Sequence, residues 1–278
     1  MIPSRAPSRT SAPSGAVLRA TIEYDGARYR GWQSQVNART VQGTLLSAAR
    51  ELWGAGVRLH GAGRTDAGVH ALGQVASLHL PPRARTGDPA DALRRWNDLL
   101  PPDVNVLSLV PAPATFHARH DAVRRTYRYR IARRRTGFGK PYVYWAKDAL
   151  DAGAMDRAAR LLAGRHDFAS FCENPEGHDS TIVVVESASV SSPPEADGLV
   201  LVRISASHFL WKMVRRVVGI LLEVGAGRMT ERDVARLFVD RDEAVARLTV
   251  PPSGLFLESV GYPGEPDPPP PHPLRPAF

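Results

Sequence analysis

Gly61-Ala62-Gly63-Arg64-Thr65-Asp66-Ala67-Gly68-Val69-His70 is the stretch from which the fold can be read outward. It lies between two strand-like runs, Val57-Arg58-Leu59-His60 and Leu72-Gly73-Gln74-Val75-Ala76-Ser77-Leu78-His79-Leu80. Glycine tolerates strained or left-handed backbone, so three glycines around one arginine and one carboxylate describe a loop shaped to hold Asp66 in place. Upstream, Ala16 to Tyr24 reads as a strand and Asp25 to Gln33 as a polar loop bearing aromatics. From Thr40 a helix is expected, with Val41, Leu45, Ala48 and Leu52 at helical spacing and Gly54 closing it. Downstream, Asp88 as N-cap and Pro89 in the first turn open a second helix that runs to about Leu99, before a strand from Asp103 to Val110. The order is β-α-β-β-α-β.

Pro111-Ala112-Pro113 reads as a stiff junction, because proline fixes φ and interrupts hydrogen-bond ladders. The order then repeats. Arg125 to Ala132 alternates as a strand, Asp151 to Ala163 is helical, Thr181 to Val190 and Leu199 to Ala206 are strands, Ser207 to Val224 is a longer helix, Glu231 to Phe238 a short one, and Leu255 to Tyr262 closes the series. The fold class expected is α+β: two β-α-β-β-α-β halves, residues 16–112 and 113–262, each a mostly antiparallel sheet with helices on one face. Their open faces are expected to meet in a central cleft. Residues 1–15, rich in Ser, Pro and Arg, read as a disordered tail, and eight prolines between Pro263 and Pro276 as an extended tail outside the fold, residues 263–278.

Lys and Arg number 36 against 28 Asp and Glu, a net charge of +8 that attracts polyanions and makes nucleic acid the first partner to consider. A single cysteine, Cys172, excludes an internal disulfide and a Cys-cluster metal site and fits a reducing cytoplasm. No run of about 18 apolar residues exists to span a membrane. Phosphate-binding, nucleophile-elbow and dinucleotide motifs are absent; His60, His70 and His79 are too regularly spread to suggest a ligand set and His117/His120 make only a pair, so no metal is expected.

Two segments carry chemistry. Arg124 to Arg135 holds seven arginines; period-two geometry puts Tyr127, Tyr129 and Ile131 on one face and Thr126, Arg128 and Arg130 on the other. Aromatics interleaved with arginines suit unstacked bases, which need a stacking plane beside phosphate-neutralising charge; a strand with core tyrosines and solvated arginines would read the same. In the long helix, Phe209, Met213, Val217, Ile220 and Val224 line one face while Lys212, Arg215, Gly219 and Glu223 form a polar stripe, whose default reading is a solvated face. Gly219 in mid-helix costs about 1 kcal/mol relative to alanine, which implies close packing there.

Taken together, Glu23-Tyr24-Asp25-Gly26, Gly31-Trp32-Gln33, Thr40-Val41-Gln42, the Gly61 to Ala71 loop with its Arg-Thr-Asp-Ala-Gly-Val-His core, Phe116-His117-Ala118-Arg119, Tyr127, Asp167-Phe168 and Phe209-Leu210-Trp211-Lys212-Met213-Val214-Arg215 resemble the TruA family of tRNA pseudouridine synthases over residues 17–262. The resemblance implies that Asp66 is the catalytic aspartate and nucleophile, Tyr127 the residue stacking on the target uracil, and Arg215 the ion-pair partner of Asp66. Arg64 would hold the target nucleotide out of the stack, and Arg28, Trp32, Gln33, His117, Arg119, Arg128, Lys212 and Arg216 are the further positions expected to contact RNA. It also implies tRNA as substrate at positions 38, 39 and 40 of the anticodon stem-loop, a homodimer in the cytoplasm, and no cofactor. Lys212 and Arg216 flank the Met-Val-Arg core where many members carry other polar residues, a departure that bears on substrate range.

The chemistry is consistent with that set. Converting uridine to pseudouridine breaks the N1–C1′ bond, turns the base and joins C5 to C1′, so atoms are only rearranged. A carboxylate suits this as nucleophile at C1′, as nucleophile at C6, or as the base that opens a glycal route. The proton on C5 must finally leave, and Tyr127 or Asp66 is the base at hand. A non-catalytic RNA-binding protein on the same scaffold is the alternative, against which the intact Asp66, Tyr127 and Arg215 count.

Overall fold

β1 (Val17–Tyr24) and β3 (His70–His79) run antiparallel, Val17 opposite His79 and Ile22 opposite Gln74, with β4 (Val104–Ala112) on the other edge of β1. The computed structural model describes residues 15–85, 87–196, 198–266 and 268–269. β2 (Arg58–Gly61) pairs with the far end of β3, from Arg58 opposite His79 to Gly61 opposite Ala76. α1 (Val41–Trp53) begins where the Thr40 side chain accepts from the Gly43 amide and ends at Gly54, whose φ of 94° few other residues adopt. α2 (Pro89–Asp98) is capped by Asp88, which accepts from the Asp91 amide. Its Trp96 meets Trp53 edge-on at 5.5 Å and donates to the Leu45 carbonyl at 3.3 Å, which locks the two helices together.

The second half repeats this arrangement. β5 (Arg124–Ala132), α3 (Ala152–Arg160), β8 (Ile182–Ser191), β9 (Leu199–Ala206), α4 (Met213–Gly225) and β10 (Leu255–Gly261) follow in order, with two short strands, β6 (Tyr144–Trp145) and β7 (Gly164–Asp167), and a short helix, α5 (Glu231–Arg236), added. In both halves the fourth strand lies beside the first, the first beside the third and the third beside the second, β4-β1-β3-β2 and β10-β5-β9-β8.

The halves join edge to edge, where the sequence suggested that their faces would meet. β10 pairs parallel to β3 (Phe256 opposite His70, Leu257 opposite Ala71) and antiparallel to β5, giving a ten-stranded sheet ordered β4-β1-β3-β10-β5-β9-β8-β7, with β2 and β6 beside it. Pairing both edges of β10 satisfies backbone groups that an open strand would leave bare. A cleft of about 1240 Å³, lined by residues of both halves, opens beside this seam.

Three local expectations change. Pro111 and Ala112 belong to β4, opposite Leu18 and Val17; β4 is a sheet edge, where a missing amide costs no ladder bond. The border expected at residue 112 thus falls at the end of β4 in a continuous sheet. α4 starts at Met213, because Lys212 adopts φ 61° and the Met213 amide bonds Leu210, so residues 207–212 form a loop ahead of the helix. Phe209 matches the helical period yet packs edge-on against Tyr127 at 5.1 Å. Of the two tails, residues 1–14 and 270–278 lie outside the described residues, whereas Glu265 pairs with Arg19, and Pro266, Pro268 and Pro269 line a pocket on the sheet with Thr21, Leu72 and Glu258. The first part of the proline-rich stretch is therefore part of the fold.

Gly219 meets the expectation of close packing: a Cβ there would lie 1.7 Å from the Leu248 carbonyl oxygen. Among the described residues no helix is long and apolar enough to cross a membrane.

Candidate active site

The loop that follows β2 is held by backbone and side chains from both sides. The Trp32 amide donates to the Thr65 carbonyl at 3.0 Å, the Ala62 amide to Val75 at 2.8 Å, and the Gly68 amide to Tyr29 at 3.3 Å. Tyr24 and Thr65 share a buried hydroxyl hydrogen bond at 2.8 Å, and the Gln74 side chain donates to the Gly63 carbonyl at 2.9 Å. Gly68 turns the chain at φ 78°, and a Cβ there would press on Pro252 at 2.9 Å. The result is an Asp66 whose backbone is fixed and whose carboxylate, 31% exposed, faces the cleft.

Arg215, in the first turn of α4, reaches this carboxylate from the other half. Its Nη1 lies 3.3 Å from Asp66 Oδ2, and its Nε donates to the Val250 carbonyl at 2.7 Å, which aims the guanidinium. Tyr127 of β5 lines the same cleft, only 8% exposed, with Phe209 edge-on beside it. Burial first, then the charges of Tyr24 and Asp66, hold the Tyr127 hydroxyl well above the usual phenol range, so it stays protonated at neutral pH. The three residues singled out for chemistry are thus brought together from three distant segments.

The cleft is basic. Arg30, Arg64, Arg119, Arg125, Lys212 and Arg215 line it against Asp66 and Asp179. Arg64 is exposed at its mouth, and Lys212 pairs with Glu173 at 3.0 Å. Gln33 donates to Gln42 at 2.9 Å and His117 stands among other imidazoles. Among the described residues no group of three or more His, Cys, Asp and Glu side chains is arranged to hold a metal ion.

Residues 158–263 match the family model described as tRNA pseudouridine synthase. The tRNA pseudouridine synthases A of Afipia carboxidovorans and Rhodopseudomonas palustris are each 42% identical, over 243 and 248 residues, covering 87% and 88% of this chain and 97% of each relative. That of Caldicellulosiruptor bescii is 38% identical over 244 residues, 87% of this chain and 98% of the relative. The chain belongs to the tRNA pseudouridine synthase A family. Among solved structures, the archaeal box H/ACA sRNP Nop10-Cbf5 complex aligns at 10% identity over 84% of this chain and 60% of that one, with a TM-score of 0.32, too low to add to this assignment.

Within this tRNA pseudouridine synthase A member, three of the residues expected to contact RNA, Arg28, Arg128 and Arg216, do not line the cleft. Trp32 lines the cleft but is only 2% exposed, packed against Gly61 where it props the Asp66 loop. Arg128 is buried on the face of β5 opposite Tyr127, its Nε 2.9 Å from Glu258, which also accepts from Arg203 at 2.7 Å. Beside it Arg130 is fully buried, and burial followed by Arg128 pushes its guanidinium down to about 10. Arg216 is buried against Glu173 and the Cys172 carbonyl, about 100° around α4 from Arg215. Arg28 lies in a one-turn helix after β1 and does not line the cleft; Arg30 does.

Arg125 is the residue the sequence reading passed over. It shares the face of Tyr127 by strand parity, which was the available signal. It donates to four carbonyls: Ala122 at 2.9 Å, Ser207 at 2.8 Å, Ala62 at 3.0 Å and Arg119 at 2.7 Å. One guanidinium so ties the Asp66 loop to the turn after β4 and to the loop before α4. Five of the nine histidines, His60, His117, His120, His178 and His208, also line the cleft, assembled from segments too far apart for spacing to connect them.

Proposed function

We propose that this protein isomerises uridine to pseudouridine in tRNA, at positions 38, 39 and 40 of the anticodon stem-loop, with Asp66 as nucleophile, and that it acts as a homodimer in the cytoplasm. The observation that carries this reading is the Asp66–Arg215 pair at 3.3 Å inside a basic cleft, with Tyr127 beside it. A uridine in a stem-loop must leave the stack before its glycosidic bond can be reached. Arg64 at the mouth and the cleft cations neutralise the backbone phosphates while this happens. Tyr127 offers its ring as a stacking plane for the freed uracil, with Phe209 packed edge-on beside it.

The reaction breaks N1–C1′, turns the uracil and forms C5–C1′; a proton leaves C5 and one is gained at N1. The Asp66 carboxylate supplies the electron pair that stabilises the detached fragment, and Arg215 orients it. Because Tyr127 is kept protonated, removal of the C5 proton falls to Asp66.

The test is to incubate the protein with an unmodified tRNA transcript and map pseudouridine along it. The expected result is modification confined to positions 38 to 40, and none with Asp66→Asn. Absence of pseudouridine with the parent protein, or an unchanged pattern with the variant, would overturn the reading.

A further inference from the structure

Three imidazoles of the cleft take no part in the steps above. His60 is the penultimate residue of β2, and His117 and His120 sit in the turn after β4; ring centroids lie 5.0 Å apart for His60 and His117 and 4.2 Å apart for His117 and His120. His79 of β3 stands edge-on behind His60 at 5.4 Å. His60 and His120 are exposed, so core packing does not account for them. The amides of Arg119 and His120 point at His117 Nδ1, at 3.2 and 3.4 Å, which makes that nitrogen an acceptor and leaves Nε2–H free to donate. The charged groups around the cluster are mostly cationic: Arg58 on β2, Arg119 in the turn, and Arg125 from β5, bound to the Arg119 carbonyl. The nearby carboxylate, Asp121, accepts from the His117 amide at 2.9 Å.

His60, His79 and His117, set close to guanidinium groups, resist protonation while the cleft is empty. Burial chiefly, then Arg58 and the neighbouring imidazoles, hold His60 and His79 below the ordinary imidazole range; burial, His120 and His60 do the same for His117, with Asp121 opposing. An anion placed against such a wall reverses the balance, because it favours the charged form of every imidazole within reach. The wall lies in the cleft that holds Asp66, and the repeating anion of RNA is the phosphodiester. We propose that His60, His117 and His120 form a phosphodiester-binding wall of the cleft, with His117 donating from Nε2, and that RNA binding at this wall is coupled to proton uptake. This rests on the reading of the cleft as a tRNA site and adds to it a coupling between occupancy and pH.

The test is equilibrium binding of tRNA to the full-length protein from pH 8 to pH 6 at fixed ionic strength, with pseudouridine formation measured in the same samples. Affinity should tighten by roughly three- to tenfold per pH unit, the slope of half to one proton taken up. In His60→Gln/His120→Gln the slope should flatten, leaving binding weaker at pH 6 and nearly unchanged at pH 8. His120→Lys, which carries a fixed charge in the same place, should bind tightly with a reduced slope, and it guards against a misfolded double variant. A flat profile in the parent protein, or an equal slope in parent and double variant, overturns the proton-linked wall even if pseudouridine forms normally. Tight, pH-dependent binding without pseudouridine at any pH would instead overturn the isomerase reading alone, and no binding would overturn both.

Discussion

Arg215 and Asp66 stand 149 residues apart in the chain and 3.3 Å apart in the fold, and the Val250 carbonyl holds the guanidinium in that position from behind. The pair spans the seam between the halves. The Asp66 loop hangs from β2 and β3, α4 belongs to the second half, and β10 stitches β3 to β5. Formation of the pair therefore reports that the two halves are docked.

Arg215→Ala is expected to lower both turnover and thermal stability. Side-chain exposures of 15% and 31% place the pair between surface pairs, worth about 0–1 kcal/mol, and buried ones, where loss of one partner costs about 3–5 kcal/mol. Arg215→Lys keeps the charge but not the fork that serves both Asp66 and Val250, and should recover only part of the activity. Denaturant unfolding of Arg215→Ala, Asp66→Ala and the double variant checks this; strictly additive losses would show the two side chains to be uncoupled.

Asp66→Asn should abolish pseudouridine formation while tRNA affinity stays within about threefold, since binding comes chiefly from phosphate contacts elsewhere in the cleft. The salt dependence of affinity should keep its slope. Measurable turnover by the purified variant would remove Asp66 from the reaction.

For Tyr127 the expected outcome separates ring from hydroxyl. Tyr127→Ala empties the space beside Phe209 and should lose activity, along with about 1–3 kcal/mol of any stacking on the base. Because the hydroxyl is held protonated, Tyr127→Phe should bind tRNA normally and keep much of its turnover between pH 7 and 9. A turnover that vanishes in the Phe variant would assign the hydroxyl a proton-transfer role.

Gly61→Ala tests the structural place of Trp32. The added Cβ would lie 2.5 Å from the indole ring, so the loop or the tryptophan must shift, at a cost of about 1–3 kcal/mol for overpacking. The melting temperature should fall, and turnover should fall with it as Asp66 moves. Unchanged stability would mean that Trp32 is free to turn further out from beneath Gly61 into the cleft it lines.

The chain itself determined its elements and its repeated order. Asp88 caps its helix as the sequence indicated, Thr40 and Asp151 cap helices at the positions where helical segments were expected to begin, and the glycine pattern marked the loop that carries Asp66. Caps, turns and periodic faces are local, set by hydrogen bonds and packing within a few residues, and so are legible along the sequence. The tertiary structure decided which charged groups are available. Arg125, Arg128 and Arg130 are alike in sequence, yet alternate faces of one strand send Arg125 to the cleft and bury Arg128 against Glu258, 130 residues away. Only the fold could show Lys212 adopting a left-handed conformation that ends the loop before α4, or histidines from β2 and the turn after β4 gathering side by side. These depend on pairing between segments far apart in the chain, above all on β10 inserting between β3 and β5, and no local preference specifies that insertion.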